Sequence, residues 1–290
     1  MSLSNRTVEA DLPVTERFDV YPEIDPSKHF ADKTYKGKVV LITGASRGIG
    51  KEFAIAYAKA GAALVLSARN QKLLDDVERD IHAIDPATKV VSVVADVADV
   101  KQVEAVVKAG VGRFGKLDVV IANAGMVLDW NEPIAEQDPN AWWSVFEVNL
   151  RGVHSLAHFT LPHLVKTDGY FVALSSGAAQ FRAPNGSSYC ISKHAVNRLI
   201  EFVNIEYPNV KAFAVAPGIV QTDMKVQAGF KPLHAIGLPV ATMIYLTSGT
   251  ADWLSGRYIS APWDLGEVRQ LWKEKIEKED ALVSKLAIPA

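Results

Sequence analysis

Residues 39–61 read VVLITGASRGIGKEFAIAYAKAG. Val39 to Thr43 is a short apolar, mostly β-branched run of the kind a buried strand needs, and from Lys51 the apolar residues return at helical spacing. Between them stand Gly44, Gly48 and Gly50. A strand that turns tightly through glycine into a helix leaves the first helical amides, and the positive end of the helix dipole, facing the turn; a pyrophosphate can approach such a backbone closely. The spacing is Gly-x-x-x-Gly-x-Gly rather than the commoner Gly-x-Gly-x-x-Gly, and a plain structural turn is the competing reading, made less attractive by the strand before and the helix after.

The same rhythm repeats along the chain. ALVLSA (63–68) precedes QKLLDDVERDIHAI, VVSVVA (90–95) precedes DVKQVEAVVKAGVGRFG, and DVVIANAG (118–125) precedes a long helical stretch from about Asn140 to Val165. YFVALSS (170–176), a helix from about Ser187 to Glu206, VKAFAVAPG (210–218) and a last strand in GRYISAPW follow. Strands apolar on both faces and joined by helices predict a doubly wound α/β fold, with a seven-stranded, mostly parallel sheet covered by helices on both sides in a single domain. Residues 1–35 lack a clear period and are broken by Pro13, Pro22 and Pro26, so they are expected to be an arm that packs on the surface or is partly disordered. Residues 36–264 are expected to form the main domain in this division. Residues 265–290 read as a C-terminal extension with an exposed amphipathic helix over LGEVRQLWKEKIEKEDALVSKL.

Composition narrows the function classes. The 290 residues are 49% hydrophobic and 22% charged, with a formal charge of −2, which gives no general attraction to nucleic acid. Cys190 is the only cysteine, so there is neither an intrachain disulfide nor a cysteine metal cage. No run approaches the ~18 apolar residues of a membrane span, and the first thirty residues carry no apolar core of signal-peptide length; a cytoplasmic location without membrane attachment is expected. His154 and His158 share a helix face, but HSLAH lacks the glutamate of a zinc-protease helix, and no metal site is expected.

A second motif, GSSYCISKHAV (186–196), places Tyr189 and Lys193 four residues apart, on one face if the segment is helical. A phenol titrates near pH ~10 and exchanges protons poorly at neutral pH unless a positive charge lies close; lysine can supply that charge.

Taken with TGASRGIG (43–50), ADV at Asp96, NAG (123–125), EVNLRG around Asn149, SSGAAQ (175–180) and PGIVQT (217–222), all in order, these motifs resemble the classical short-chain dehydrogenase/reductase family over residues 36–264. The resemblance implies a Rossmann fold and a catalytic set of Asn149, Ser176, Tyr189 and Lys193. It implies cofactor contacts from Gly44, Ser46, Arg47, Gly48, Ile49, Gly50, Arg69, Asp96, Val97, Asn123, Ala124, Gly125, Tyr189, Lys193, Pro217, Gly218, Ile219 and Thr222. Tyr189 would be the general acid or base, Lys193 would lower its pKa and hold the cofactor ribose, and Ser176, 13 residues earlier, would hydrogen-bond the substrate oxygen. Asn149 would anchor a water leading protons to Lys193. Assembly as a homodimer or homotetramer through the two long helices is the family expectation.

The cofactor is expected to be NADP(H). Ala68 occupies the position where NAD-preferring relatives carry an acid, and Arg69 and Arg47 stand where a 2'-phosphate would need positive charge. The predicted activity is reduction of a hydrophobic ketone or aldehyde, or oxidation of the secondary alcohol. Met126, Trp130, Gln180, Phe181, Arg182 and a lid over 224–239 are the substrate-side candidates. The rival class is an NADP(H)-binding non-redox catalyst or regulatory module on the same scaffold, and the four intact catalytic positions argue against it.

Overall fold

The computed structural model describes residues 11–221 and 231–286. Seven strands form one sheet: β1 (Val39–Thr43), β2 (Ala63–Ala68), β3 (Val90–Val94), β4 (Val119–Ala122), β5 (Tyr170–Leu174), β6 (Lys211–Ala216) and β7 (Arg257–Ser260). Their order is β3-β2-β1-β4-β5-β6-β7, and every neighbouring pair is parallel. The sheet is therefore wholly parallel where the sequence pattern predicts a mostly parallel one. All five residues of β1 are buried, so both faces need cover. Val40 and Ile42 enter one core layer, with Phe53, Leu74 and Leu238 from the helices α2 (Gly48–Lys59), α3 (Gln71–Ile84) and α8 (Gly237–Leu246). Val39 and Leu41 enter the other, with Val103, Leu156 and Ile200 from α4 (Val100–Phe114), α6 (Gly152–Leu164) and α7 (Ser187–Glu206).

Two helices differ from a plain helical reading. The stretch after β4 is α5 (Pro139–Phe146) followed directly by a wide π turn, Glu147–Arg151, and then α6. Such single wide turns inside helices recur at functional sites. The C-terminal helix, Leu265–Glu267 continued by a π turn (Val268–Trp272) and Lys273–Glu279, stops at Asp280 in a left-handed conformation rather than running on to Leu286. It buries Leu265, Val268 and Ile276 and is thus only partly exposed. Past it the chain covers the open edge of the sheet: Tyr258 N–H donates to Leu282 O at 2.9 Å and Arg257 Nε to Ala281 O at 3.1 Å. An edge strand so covered no longer offers its backbone to other chains.

Residues 11–35, read as a surface arm, also build the core. Tyr21, Ile24 and Tyr35 are buried, and a short helix, α1 (Ser27–Asp32), lies between the last two. The segment is fastened to the start of the C-terminal helix. Thr15 gives its N–H and hydroxyl to Glu267, both at 2.7 Å, and Arg17 sends Nε and Nη2 to Asp264 Oδ2 at 2.8 and 2.5 Å. The Tyr21 hydroxyl donates to Trp263 O at 3.1 Å and accepts from Leu265 N at 2.7 Å.

Because both of those backbone groups are buried with the phenol, Tyr21→Phe is expected to cost about 1–3 kcal/mol. Urea unfolding should show a lower midpoint at unchanged slope. An unchanged midpoint would mean that this segment rests on the core without stabilising it.

Candidate active site

Strand order reverses between β1 and β4, and a crevice opens there beyond the carboxyl ends of the strands. The glycine turn leaves β1 at this point. Gly44 and Gly48 have φ of +64° and +55°, a region where a side chain is strained. Gly50 has an ordinary backbone, but a β-carbon on it would collide with Gly44 O and the Asn123 amide. Asn123, a predicted cofactor contact, uses its side chain to fasten the turn to the end of β4: Nδ2 donates to Thr43 O at 2.9 Å and Gly44 O at 3.1 Å. Thr43 Oγ1 accepts from Asn123 N and Ala124 N at 3.1 and 3.2 Å.

The start of α2 differs from those of its neighbours. Asn70, Asp99 and Asp138 cap α3, α4 and α5 with side-chain oxygens, whereas α2 begins at Arg47 with no side-chain cap and no acid in its first turn. Its first amides thus keep their donors and their positive end for an anionic group, which fits a dinucleotide pyrophosphate.

Tyr189 and Lys193 lie in the first turns of α7, and the π turn supplies their support. The wide turn carries Asn149, fully buried, whose Oδ1 accepts from Met126 N at 2.8 Å while Nδ2 donates to Met126 O at 2.9 Å and Ser192 Oγ at 3.1 Å. Ser192 Oγ in turn donates to Tyr189 O at 2.9 Å. Asn149 therefore ties the loop after β4 to α7 with both of its amide donors. Lys193, 3% exposed, donates from Nζ to Leu174 O at 2.7 Å, at the end of β5, and Nζ stands 5.8 Å from the centre of the Tyr189 ring. Burial lowers the Lys193 pKa from 10.5 to about 8. Burial also raises the Tyr189 phenol, against a lowering contribution from the Ser176 hydroxyl. Ser175 is committed elsewhere, donating to Asn197 Oδ1 at 2.6 Å, so Ser176 is the serine beside the phenol.

A cavity of about 330 Å³ opens on this group. Of the predicted residues it brings together Ile49, Ser176, Tyr189, Pro217, Gly218 and Ile219; Trp130 and Phe181 join from the substrate-side candidates. Asn149 and Lys193 stand behind the wall as its support. Met126 acts through its backbone on Asn149, Gln180 faces a smaller neighbouring cavity, and Arg182 is exposed. Thr222, and the part of the expected lid from 224 to 230, lie outside the described residues. From the rest of that lid, buried His234 lines the cavity, its Nδ1 accepting from Ile219 N at 2.8 Å. Leu12, Val14, Val127 and Trp263 add to the apolar lining and were not foreseeable from any motif.

Towards the outer end of the crevice, Ala45 N donates to Ser67 O at 3.1 Å, joining the turn to β2. Ser46 lies half-buried in that turn, and Arg47 and Arg69 are exposed at the ends of the turn and of β2. Asp96 accepts from Ala98 N at 2.9 Å and its Oδ2 lies 3.9 Å from Arg69 Nη1. Val97 packs against Gly152, where a β-carbon would meet Val97 O at 3.0 Å. Gly125 follows Ala124 on the half-buried loop after β4.

Comparison with known proteins agrees with this fold. The short chain dehydrogenase family profile matches residues 38–231. The short chain dehydrogenase mpl6 of Monascus purpureus is 36% identical over 283 residues, spanning 93% of this chain and 94% of its own. Levodione reductase superposes with a TM-score of 0.73 at 27% identity, covering 78% of this chain and 96% of its own. An alcohol dehydrogenase from the archaeon Thermococcus sibiricus, solved with 5-hydroxy-NADP, superposes with a TM-score of 0.69 at 29% identity, over 77% of this chain and 95% of its own.

The buried Lys193 has a measurable signature. Between about 8 and 10.5 the unfolded chain binds more protons than the folded one, so this group makes stability rise with pH across that window; below about 8 the folded state bears the full cost of a buried cation. Lys193→Met removes the charge. The variant's Tm is expected to match or exceed that of the native chain at pH 7, with the advantage shrinking as the buffer is raised through the window. A deficit at neutral pH that grows on alkalinisation would contradict the assignment.

Proposed function

The chain belongs to the short-chain dehydrogenase family, and from that premise we propose that it is an NADP(H)-dependent carbonyl reductase or alcohol dehydrogenase acting on a neutral, hydrophobic ketone, aldehyde or secondary alcohol. One observation carries the reading: the Tyr189 phenol and Ser176 hydroxyl meet at a mostly apolar cavity, with the buried ammonium of Lys193 behind the phenol. When bound, the nicotinamide supplies or accepts the hydride.

The residues divide the remaining work. Ser176 Oγ orients the substrate oxygen and donates to it as negative charge grows. Burial keeps Tyr189 protonated at neutral pH, the state a general acid needs for reduction, and the Ser176 hydroxyl works against that burial. The Lys193 ammonium, 5.8 Å from the ring centre, would add positive charge beside the phenol as it releases its proton. Lys193 would also hold the cofactor ribose, and Asn149, with both amide donors committed to Met126 and Ser192, has only carbonyl oxygens left to hold a water on the proton path. The amides of Gly48, Ile49 and Gly50 would take the pyrophosphate, Asp96 and Val97 the adenine side, and Pro217, Gly218 and Ile219 the carboxamide side. Arg47 and Arg69 would take the 2'-phosphate. The bound NADP analogue of the archaeal neighbour supports that choice, as does Ala68 in place of an acid. The reading also includes a homodimer or homotetramer through α5 to α7, supported by Phe202 and Ile205, exposed on α7 at 52% and 72%.

Consumption of NADPH against a panel of hydrophobic ketones is the test. Tyr189→Phe should lower kcat by about 10²–10⁴-fold while NADPH still binds, as seen by fluorescence titration. Turnover that survives this substitution would shift the chemistry to another group, and NADPH binding with no turnover on a broad panel would favour the non-redox or regulatory reading.

Arg47→Ala combined with Arg69→Ala should raise the KM for NADPH by about tenfold or more and leave that for NADH little changed. Faster native turnover with NADH would overturn the cofactor assignment.

A further inference from the structure

The family profile begins at residue 38, yet part of the cavity wall comes from before it. Asp11, Leu12, Val14 and Glu16 line the cavity beside Trp263. This strap is locked in place along its length. Trp263 Nε1 donates to Asp11 Oδ1 at 2.5 Å, Asp264 N to Thr15 O at 3.0 Å and Arg17 N to Pro262 O at 2.7 Å. A third element fixes its far end, since Phe18 stacks on His234 with ring centres 5.4 Å apart. His234 accepts from Ile219 N through Nδ1, so its neutral ring carries the proton on Nε2, which lies 3.5 Å from Glu16 Oε1.

Two features of the strap bear on selectivity. Leu12 and Val14, both half-buried, add aliphatic surface to the aromatic wall formed by Trp130, Phe181 and Trp263. Asp11 and Glu16 are the two acidic side chains among the described lining residues, and neither lysine nor arginine is found among them. A carboxylate-bearing substrate would meet like charge at the strap, whereas a hydroxyl or amino group there would find acceptors.

We propose that residues 11–16 are the specificity-determining wall of this enzyme, selecting a neutral carbonyl compound with a flat apolar body that carries a hydrogen-bond donor where it meets Asp11 and Glu16. The proposal rests on the cavity being the substrate site as read above. It also accounts for a difference between relatives. Levodione reductase is covered almost end to end while 78% of this chain is used, so about a fifth of the present chain is additional to that enzyme's fold; the Monascus relative matches 93%, which takes in part of the first 35 residues.

The test compares two probes of matched shape, acetylnaphthol and acetylnaphthoate, in the full chain with NADPH. The native chain should prefer the naphthol in kcat/KM. Asp11→Asn combined with Glu16→Gln should reduce that preference by about tenfold, because Asn and Gln keep an acceptor without the charge. Val14→Trp, which fills the cavity, should raise the KM for both probes by a similar factor and leave the KM for NADPH where it was. An unchanged preference in the charge-removal variant, with its Tm intact, overturns the proposal; if that variant's Tm falls, an unchanged KM in Val14→Trp does so. Should the native chain reduce neither probe, that result counts against these probes as substrates and leaves the reductase reading to the broad panel. Quenching of tryptophan fluorescence by each probe then decides the strap separately: a Kd ratio that moves with the charge-removal variant upholds it, and an unmoved ratio refutes it.

Discussion

A lysine ammonium held inside the protein by the carbonyl oxygen of Leu174 is the constraint around which this site is organised. A buried cation is tolerated only where fixed dipoles receive it, so the end of β5 and the start of α7 must meet in one register. That register is set from two sides. Ser175 reaches Asn197 across the strand-to-helix contact, and Asn149 reaches Ser192 from the wide turn between α5 and α6. An ordinary helical turn at 147–151 would rotate Asn149 away from the Met126 loop, so the π geometry and the position of Tyr189 are one structural decision.

The other half of the crevice follows from crowding. Gly44 and Gly50 approach each other and Asn123 too closely for a side chain, and the start of α2 is left without the caps its neighbours use. Both features serve a helix end that faces an anion. The cofactor half and the proton-transfer half then meet because β1 and β4 are adjacent in the sheet, although their last members, Thr43 and Ala122, lie 79 positions apart in sequence.

Much of this was legible in the sequence because it is carried by local patterns. Strand periodicity located all seven strands, and the boundaries of α7 follow from the glycine-serine turn before it and the apolar spacing within it. The wide turn was not legible, since one inserted residue scarcely disturbs helical periodicity over so long a stretch. Nor was the strap. Leu12 and Val14 have no period of their own, and what fixes them is a set of bonds to Pro262, Trp263, Asp264 and Glu267, some 250 residues away in sequence. Asn123 shows a third kind of gap: its motif was readable, but the use of its side chain to pin the glycine turn depends on a contact between strands.

The central claim is that a buried, protonated phenol supported by a buried ammonium delivers the proton, and the pH profile of kcat/KM for ketone reduction tests it most directly. Burial raises Tyr189 and brings Lys193 down to about 8, so activity should hold through neutral pH and decline on the alkaline side as the ammonium and then the phenol lose their protons. A profile that stays flat into the alkaline range, or that needs a group to lose a proton before reduction proceeds, would contradict the account.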